Sequence, residues 1–208
     1  MSKELSVAET GLADALFNIN AVRFGAFKLK LHKQNPEAPL SPVYIDLRVV
    51  RSHPRVMTEI VEKFRQMSLG LKFDCFADVP TSATPIVAVL SYLTGVPMIT
   101  PRETKTHGKP GNIDGAFQPG QVVLLCDDLV TKAGSKLEAI KTLEANGLKV
   151  NDVLVLLDRG QGEKEELKRA GYNLHAAFTL LQLLAHYANT YKITSKKYEE
   201  IMAYLTNN

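Results

Sequence analysis

The 208-residue sequence lacks the features that mark several common classes of protein. It has no run of about 18 consecutive apolar residues, so we expect no transmembrane helix. The N-terminal segment MSKELSVAETGLADALF has no basic region followed by an unbroken apolar one, so we expect no secretory signal. The net charge is only +3, which argues against a nucleic-acid-binding protein.

Cysteine is also scarce, and its placement indicates a structural use. Cys75 and Cys126 are the two cysteines, and each lies in an apolar run that is typical of a buried strand. Their spacing matches no metal-binding pattern. We therefore expect two reduced thiols that act as small core residues, and a cytoplasmic protein.

Two familiar phosphate-binding motifs are missing as well. No G-x-G-x-x-G follows the first predicted parallel strand, which argues against a dinucleotide-binding fold. The P-loop pattern G-x-x-x-x-G-K-[ST] does not occur either, which excludes a P-loop nucleotide hydrolase.

The central part of the chain alternates apolar strand-like runs with helical segments. Strands are predicted at 73–79, 96–99, 122–126 and 153–157, and helices at 85–93, at 136–146 and in GEKEELKRAG. This alternation predicts an α/β fold with an open, mostly parallel sheet flanked by helices. The chain ends (1–19 and 179–205 helical, 24–31 and 42–47 strand-like) predict a smaller lobe, and no linker or repeat divides the chain.

The segment 122–135, VVLLCDDLVTKAGS, predicts a binding site for a sugar phosphate. A buried strand ends in Asp127 and Asp128, and ligands of open parallel sheets bind at the carboxyl ends of the strands. The turn from Thr131 to Ser135 opens a helix, whose N–H groups and dipole suit a phosphate. The carboxylates can accept hydrogen bonds from vicinal ribose hydroxyls. The aspartate pair alone would also fit a strand end that caps a loop, and the segment from Thr131 to Ser135 alone would also fit an ordinary turn.

This segment resembles the signature of the type I phosphoribosyltransferases, which bind 5-phosphoribosyl-1-pyrophosphate (PRPP). The resemblance implies that Asp127 and Asp128 contact the ribose hydroxyls, with Asp128 in a catalytic role. It implies one domain over 1–208, with a core sheet at about 55–160 and a hood lobe from about 1–50 and 160–208. It assigns the 5-phosphate to a turn of five residues, Thr131, Lys132, Ala133, Gly134 and Ser135.

Four further segments resemble the orotate phosphoribosyltransferases within that group. They are FGAFKLK with SPVYIDLR, VPTSATP, RETKTHG and LDRGQG. The resemblance implies a lysine, Lys30, that reaches toward the base and the pyrophosphate, and an arginine, Arg159, that contacts orotate. The RETKTHG segment would be a mobile loop that contacts the pyrophosphate, with Arg102 as a binding residue and Lys105 and His107 as catalytic residues.

Some of these residues also admit plainer interpretations. An arginine after a buried strand can pair with the orotate carboxylate, but Arg159 could instead form a salt bridge with Glu163 or Glu165. The loop that carries Lys105 and His107 could be a solvated surface loop. Tyr44 is a candidate for packing on the orotate ring, with core packing as the alternative.

The resemblance implies the synthesis of orotidine 5′-monophosphate and pyrophosphate from orotate and PRPP, in pyrimidine (UMP) biosynthesis. Mg²⁺ is expected through the pyrophosphate and water, without dedicated protein ligands. A homodimer that shares its mobile loops between subunits is also implied, with no nucleic-acid or membrane partner. Two alternatives stay open: an enzyme of the same fold that acts on another base, and a non-catalytic PRPP-binding regulator.

Three features depart from the family pattern. Thr100 and Pro101 precede Arg102 where basic residues are usual, and Asp78 precedes the pyrophosphate loop where glycine is usual. An insertion at 32–40 lengthens the predicted hairpin of the hood lobe. The sequence alone does not explain these departures.

Overall fold

The computed structural model describes residues 4–33, 35–102, 112–130 and 134–207. The described helices are α1 (Val7–Asn18), α2 (Pro54–Ser68), α3 (Thr84–Thr94), α4 (Gly134–Ala145), α5 (Glu163–Arg169), α6 (Leu180–Asn189) and α7 (Ser195–Asn207). The described strands are β1 (Val22–Phe27), β2 (Ser41–Ile45), β3 (Cys75–Asp78), β4 (Met98–Pro101), β5 (Ile113–Asp114), β6 (Val122–Val130), β7 (Lys149–Asp158) and β8 (Asn173–Thr179). Short 3₁₀ helices cover Lys30–Lys33 and Leu47–Ser52.

The chain divides into two compact units. Met57–Leu180 form the sheet unit, and Met1–Val56 with Leu181–Asn208 form the terminal unit. None of the helices within the described ranges has both the length and the apolarity to cross a membrane.

The sheet unit contains six strands in the order β5-β4-β3-β6-β7-β8. All neighbouring pairs are parallel except β4 and β5. The inner strands are almost continuously apolar, because helices cover both faces of a parallel sheet. This arrangement confirms the predicted α/β fold with its mostly parallel sheet. Cys75 and Cys126 are buried free thiols in β3 and β6, and burial raises the pKa of both.

The sheet extends further along the chain than the sequence predicted. Residues 160–208 were expected in the hood lobe, but β8 pairs with β7 along a register that includes Val155 and Ala176. The sequence of β8, NLHAAFT, is only partly buried because this strand lies at the edge of the sheet. It therefore lacks the continuous apolar run that identifies an inner strand.

The terminal unit contains the antiparallel pair β1 and β2 with helices from both chain ends. Tyr187 of α6 is fully buried, and its hydroxyl donates a 2.9 Å hydrogen bond to the Ala13 carbonyl of α1. The strand predicted at 24–31 ends at Phe27. In the inserted connection His32 is buried: its Nδ1 accepts from the Leu29 N–H at 2.9 Å, and its Nε2 lies 3.1 Å from the Ala38 carbonyl.

Candidate active site

The acidic pair lies within β6, close to the carboxyl end of the strand. The predicted strand ends at Cys126, whereas β6 continues through Asp127 and Asp128 to Val130. The extension forms because β7 also continues, so that Val130 pairs with Asp158. Asp127 is 4% exposed and Asp128 is 8% exposed.

Backbone hydrogen bonds orient both carboxylates. The Asp128 N–H donates to Oδ1 of Asp127 at 2.8 Å, and the Leu129 N–H donates to Oδ1 of Asp128 at 2.7 Å. Burial, followed by the neighbouring Asp127 charge, raises the pKa of Asp128 to about 7. The Asp128 carboxyl therefore keeps its proton to a higher pH than a solvent-exposed aspartate does.

A buried lysine, which the sequence analysis did not single out, completes this cluster. Lys136 of α4 is 3% exposed; its Nζ forms an ion pair with Oδ2 of Asp127 and donates to the Leu129 carbonyl at 2.6 Å. Lys136 shares the buried face of α4 with Ala139, Ile140 and Leu143. A lysine at helical spacing with three apolar residues was therefore the signal that could have identified it.

The helix α4 is the next described element after the strand that carries the acidic pair. The helix begins at Gly134, so Gly134 and Ser135 belong to its first turn and not to the predicted turn before it. Thr131, Lys132 and Ala133, the other predicted phosphate-binding residues, lie outside the described residues. An exposed first turn with a positive dipole end suits a phosphate group.

Arg159 lies at the same sheet edge as the acidic pair. It follows β7, and its N–H donates to the Val130 carbonyl of β6 at 3.2 Å. Glu163 is 1% exposed, and Oε2 of its carboxylate accepts from the Gln161 N–H at 2.7 Å. Burial raises the pKa of Glu163, and the nearby charge of Arg159 opposes that rise.

A cavity of about 300 Å³ lies beside α4 in the sheet unit. Its lining includes six residues from three segments: Val79, Pro80, Pro101, Arg102, Ser135 and Glu138. The structure thus brings Arg102 and Ser135, predicted to bind the two ends of PRPP, to one cavity. Nε of Arg102 is 3.2 Å from Oδ2 of Asp114. Lys105 and His107, the predicted catalytic residues of the mobile loop, lie outside the described residues.

Asp78, which departs from the family pattern, has a structural explanation. Its carboxylate is fully buried and accepts hydrogen bonds from the hydroxyls of Thr84 and Thr100. The carboxylate therefore points into the protein, away from any substrate polyanion. Thr100 also departs from the family pattern, and it is one of the two donors. These two departures therefore belong to a single interaction.

Lys30 and Tyr44 belong to the terminal unit. Lys30 begins a 3₁₀ helix and does not lie on the strand that the sequence predicted. Tyr44 lies on β2, with its ring centroid 5.5 Å from that of Phe27 and 5.0 Å from the Arg23 guanidinium carbon. These contacts are those of a packed side chain, and the predicted roles of Lys30 and Tyr44 toward orotate stay predictions.

Comparisons with known proteins identify relatives of this chain. The orotate phosphoribosyltransferase of Pyrobaculum aerophilum is 35% identical over 193 residues, which cover 92% of this chain and 96% of the relative. Uridine 5′-monophosphate synthase of Bos taurus is 32% identical over 200 residues, which cover 95% of this chain. The solved structure of UMP synthase from Leishmania donovani matches with a TM-score of 0.85 and 35% identity over 97% of this chain.

The length of the match differs among these relatives. This chain spans 40% of the bovine protein and 43% of the Leishmania chain, but 96% of the Pyrobaculum protein. No family model matches the chain. The Pyrobaculum protein, which is 35% identical along nearly its full length, nevertheless establishes the family of this chain. The chain belongs to the orotate phosphoribosyltransferase family.

Proposed function

We propose that this protein transfers the phosphoribosyl group of PRPP to orotate, which yields orotidine 5′-monophosphate and pyrophosphate. One observation carries the proposal beyond family membership. The acidic pair lies near the carboxyl end of β6, α4 is the next described element in the chain, and Arg159 follows the neighbouring strand β7. Groups suited to ribose hydroxyls, a phosphate and a carboxylate thus occupy one edge of the sheet.

The reaction assigns a task to each of these groups. As the bond to pyrophosphate breaks, positive charge develops on the ribose and negative charge on the leaving group. The carboxylate of Asp128 would hold the ribose hydroxyls, and the first turn of α4 would hold the 5-phosphate. Arg159 would pair with the orotate carboxylate. The attacking ring nitrogen of orotate can lose its proton to water, so a strong base is not required.

Stabilisation of the departing pyrophosphate is the main catalytic requirement. Arg102 lies in the cavity with Val79 and Pro80 of the proposed pyrophosphate loop. The resemblance assigns the remaining positive charge to Lys105 and His107. We propose that these three side chains neutralise the leaving group.

The side chains in the sheet unit fit a magnesium ion held chiefly by the substrate. Within the described ranges no three His, Cys, Asp or Glu side chains form a group that could hold a metal. Asp78 and Asp127 are both engaged by internal donors. Magnesium keeps several waters and binds phosphate oxygens readily, so it would be held by pyrophosphate and water and add positive charge there.

We also propose a cytoplasmic homodimer in which each mobile loop serves the partner's site. The family resemblance supports the shared loop. Two buried free thiols support a reducing compartment, because disulfides are rare there.

The loss of orotate absorbance upon addition of PRPP and Mg²⁺ tests the proposed activity. We expect consumption of orotate, release of pyrophosphate, and no reaction with uracil, adenine or hypoxanthine. Consumption of another base in place of orotate would overturn the substrate assignment. Calorimetric binding of PRPP without any turnover would indicate a regulator instead of an enzyme.

A further inference from the structure

Both oxygens of the Asp127 carboxylate are already bonded within the protein. Oδ1 accepts the Asp128 N–H at 2.8 Å, and Oδ2 is paired with the Lys136 ammonium. The side chains of this ion pair are 6% and 4% exposed. A buried pair of this kind is held by its mutual charge, because either partner alone would be an uncompensated buried ion.

Lys136 also links the two elements that flank the predicted phosphate-binding turn. Besides the ion pair with Asp127, its ammonium donates to the Leu129 carbonyl at 2.6 Å. Leu129 lies on β6 and Lys136 lies on α4, so this single side chain links the strand to the helix across residues 131–133.

The charges around Asp128 come from three elements. Asp127 lies beside it on β6 and Lys136 faces the pair from α4. On the neighbouring strand β7, Asp158 is the last residue and Arg159 follows it. The Asp127 charge favours the protonated form of Asp128, and the Lys136 charge favours the ionised form. Removal of Lys136 would leave two adjacent buried carboxylates, of which one must retain a proton.

We infer that Lys136 is a positioning residue that divides the acidic pair into two roles. It holds Asp127 in internal bonds as a support, and it leaves the carboxylate of Asp128 to receive the ribose hydroxyls of PRPP. This inference rests on the proposed function and identifies which member of the pair meets the ribose.

The test compares three variants with the wild type: Lys136→Met, Lys136→Arg and Lys141→Met. Lys141 is an exposed lysine on the same helix, so its variant controls for the loss of one positive charge from α4. PRPP binding is measured by calorimetry with Mg²⁺ and without orotate, and kcat and KM are measured for both substrates from pH 5.5 to 9.

We expect Lys136→Met to raise the Kd and KM for PRPP at least tenfold and to change the KM for orotate less than twofold. The acid limb of kcat/KM for PRPP is expected to move to higher pH, because Asp128 then holds its proton more tightly. Lys136→Arg should restore both properties in part, and Lys141→Met should match the wild type. A Lys136→Met enzyme with unchanged PRPP affinity and an unchanged pH profile would overturn the inference.

A double variant keeps the test decisive if Lys136→Met fails to fold. Asp127→Asn/Lys136→Met removes both charges of the ion pair together, so neither partner of that pair is left as an uncompensated buried ion. If Asp127 is a support, the double variant should fold and retain PRPP affinity within about tenfold of the wild type. A larger loss would mean that Asp127 itself binds the ribose, which would overturn the inference. Absence of PRPP binding by the wild type would instead refute the proposed function.

Discussion

At the scale of single residues, the proposed recognition of orotate rests on the position of Arg159. Its backbone N–H is hydrogen-bonded to the end of β6, and its positive charge opposes the rise in the pKa of the buried Glu163 carboxyl. Neutral bases lack the carboxylate that a guanidinium binds with two parallel hydrogen bonds. The selectivity of the proposed reaction for orotate therefore depends on this side chain.

Arg159→Ala is expected to raise the KM for orotate far more than the KM for PRPP. Truncation of one partner in a desolvated charge pair typically costs about 2–5 kcal/mol. Steady-state kinetics with each substrate varied in turn measure this difference, and Arg169→Ala, an exposed arginine of α5, is the matched control. Equal effects on both substrates would indicate that Arg159 serves only a structural ion pair.

The raised pKa of Asp128 predicts a pH dependence of stability. Its pKa is about 7 in the folded protein against 3.8 for the unperturbed group, so between these values the folded state binds the proton more tightly. The contribution of Asp128 to the free energy of unfolding must then decrease as pH rises from about 4 to about 7.

Asp128→Asn should therefore gain stability relative to the wild type over that pH interval. Urea unfolding of both proteins at several pH values measures the difference in the free energy of unfolding. A difference that does not vary with pH would contradict the raised pKa.

Part of this residue-scale picture was accessible from the sequence. The adjacent aspartates, the small-residue turn and the arginine after an apolar strand follow known patterns, and the structure brings Asp128 and Arg159 to one edge. The partners of Asp127 and Asp78 could not be predicted, because they depend on side chains that meet only after folding. Lys136 is seven residues from Leu129, and Thr100 is 22 residues from Asp78.

At the scale of secondary-structure elements, Asp78 connects β3, α3 and β4. Thr84 opens α3 and Thr100 lies on β4, so both hydroxyl donors reach the same buried carboxylate from different elements. The connection fixes the walls of the cavity that contains Val79 and Arg102. The chain thus has Thr100 where the family usually has a basic residue, and it has the acceptor Asp78 where the family usually has glycine.

Thr100→Val is expected to lower the free energy of unfolding by about 1.5–3 kcal/mol, the range for hydrogen bonds to charged groups. The same substitution should cost clearly less in an Asp78→Ala background, where the acceptor is absent. A double-mutant cycle from chemical denaturation gives the coupling. Equal costs in both backgrounds would show that Thr100 contributes through packing alone.

The boundaries of the elements were less predictable than their existence. Inner strands were found from their apolar runs, but the edge strand β8 and the carboxyl-terminal extension of β6 were not. In both cases the neighbouring strand supplies the hydrogen bonds, and local sequence does not report the neighbour. Lys30 was placed on a strand that ends three residues earlier, because alternation of polar and apolar residues continues past the last strand residue, Phe27.

At the scale of the whole molecule, the proposed homodimer divides the catalytic groups between two subunits. Each site would take Asp128 from one subunit and Lys105 with His107 from the other. Loss of one preorganised charge-stabilising group costs on the order of 10²–10³ in turnover. Asp128→Asn and Lys105→Ala homodimers should therefore both be almost inactive.

A mixture of these two variants should regain activity after subunit exchange. A heterodimer contains one site with both defects and one site with neither. After random exchange half of the dimers are heterodimers, so the expected activity is roughly a quarter of the wild type. Native mass spectrometry confirms the exchange. Complete exchange without recovery would show that each loop serves its own subunit.

The order of strands in the sheet also has a consequence for how the chain reaches its native state. β6, α4 and β7 form a contiguous unit, whereas β3, the other neighbour of β6, lies far earlier in the chain. Pairing of nearby segments costs less loop-closure entropy than pairing of distant ones. We expect pulsed hydrogen exchange during refolding to show protection of β6 and β7 before β3. The half of the site proposed to hold phosphoribose would then assemble before the half proposed to hold pyrophosphate.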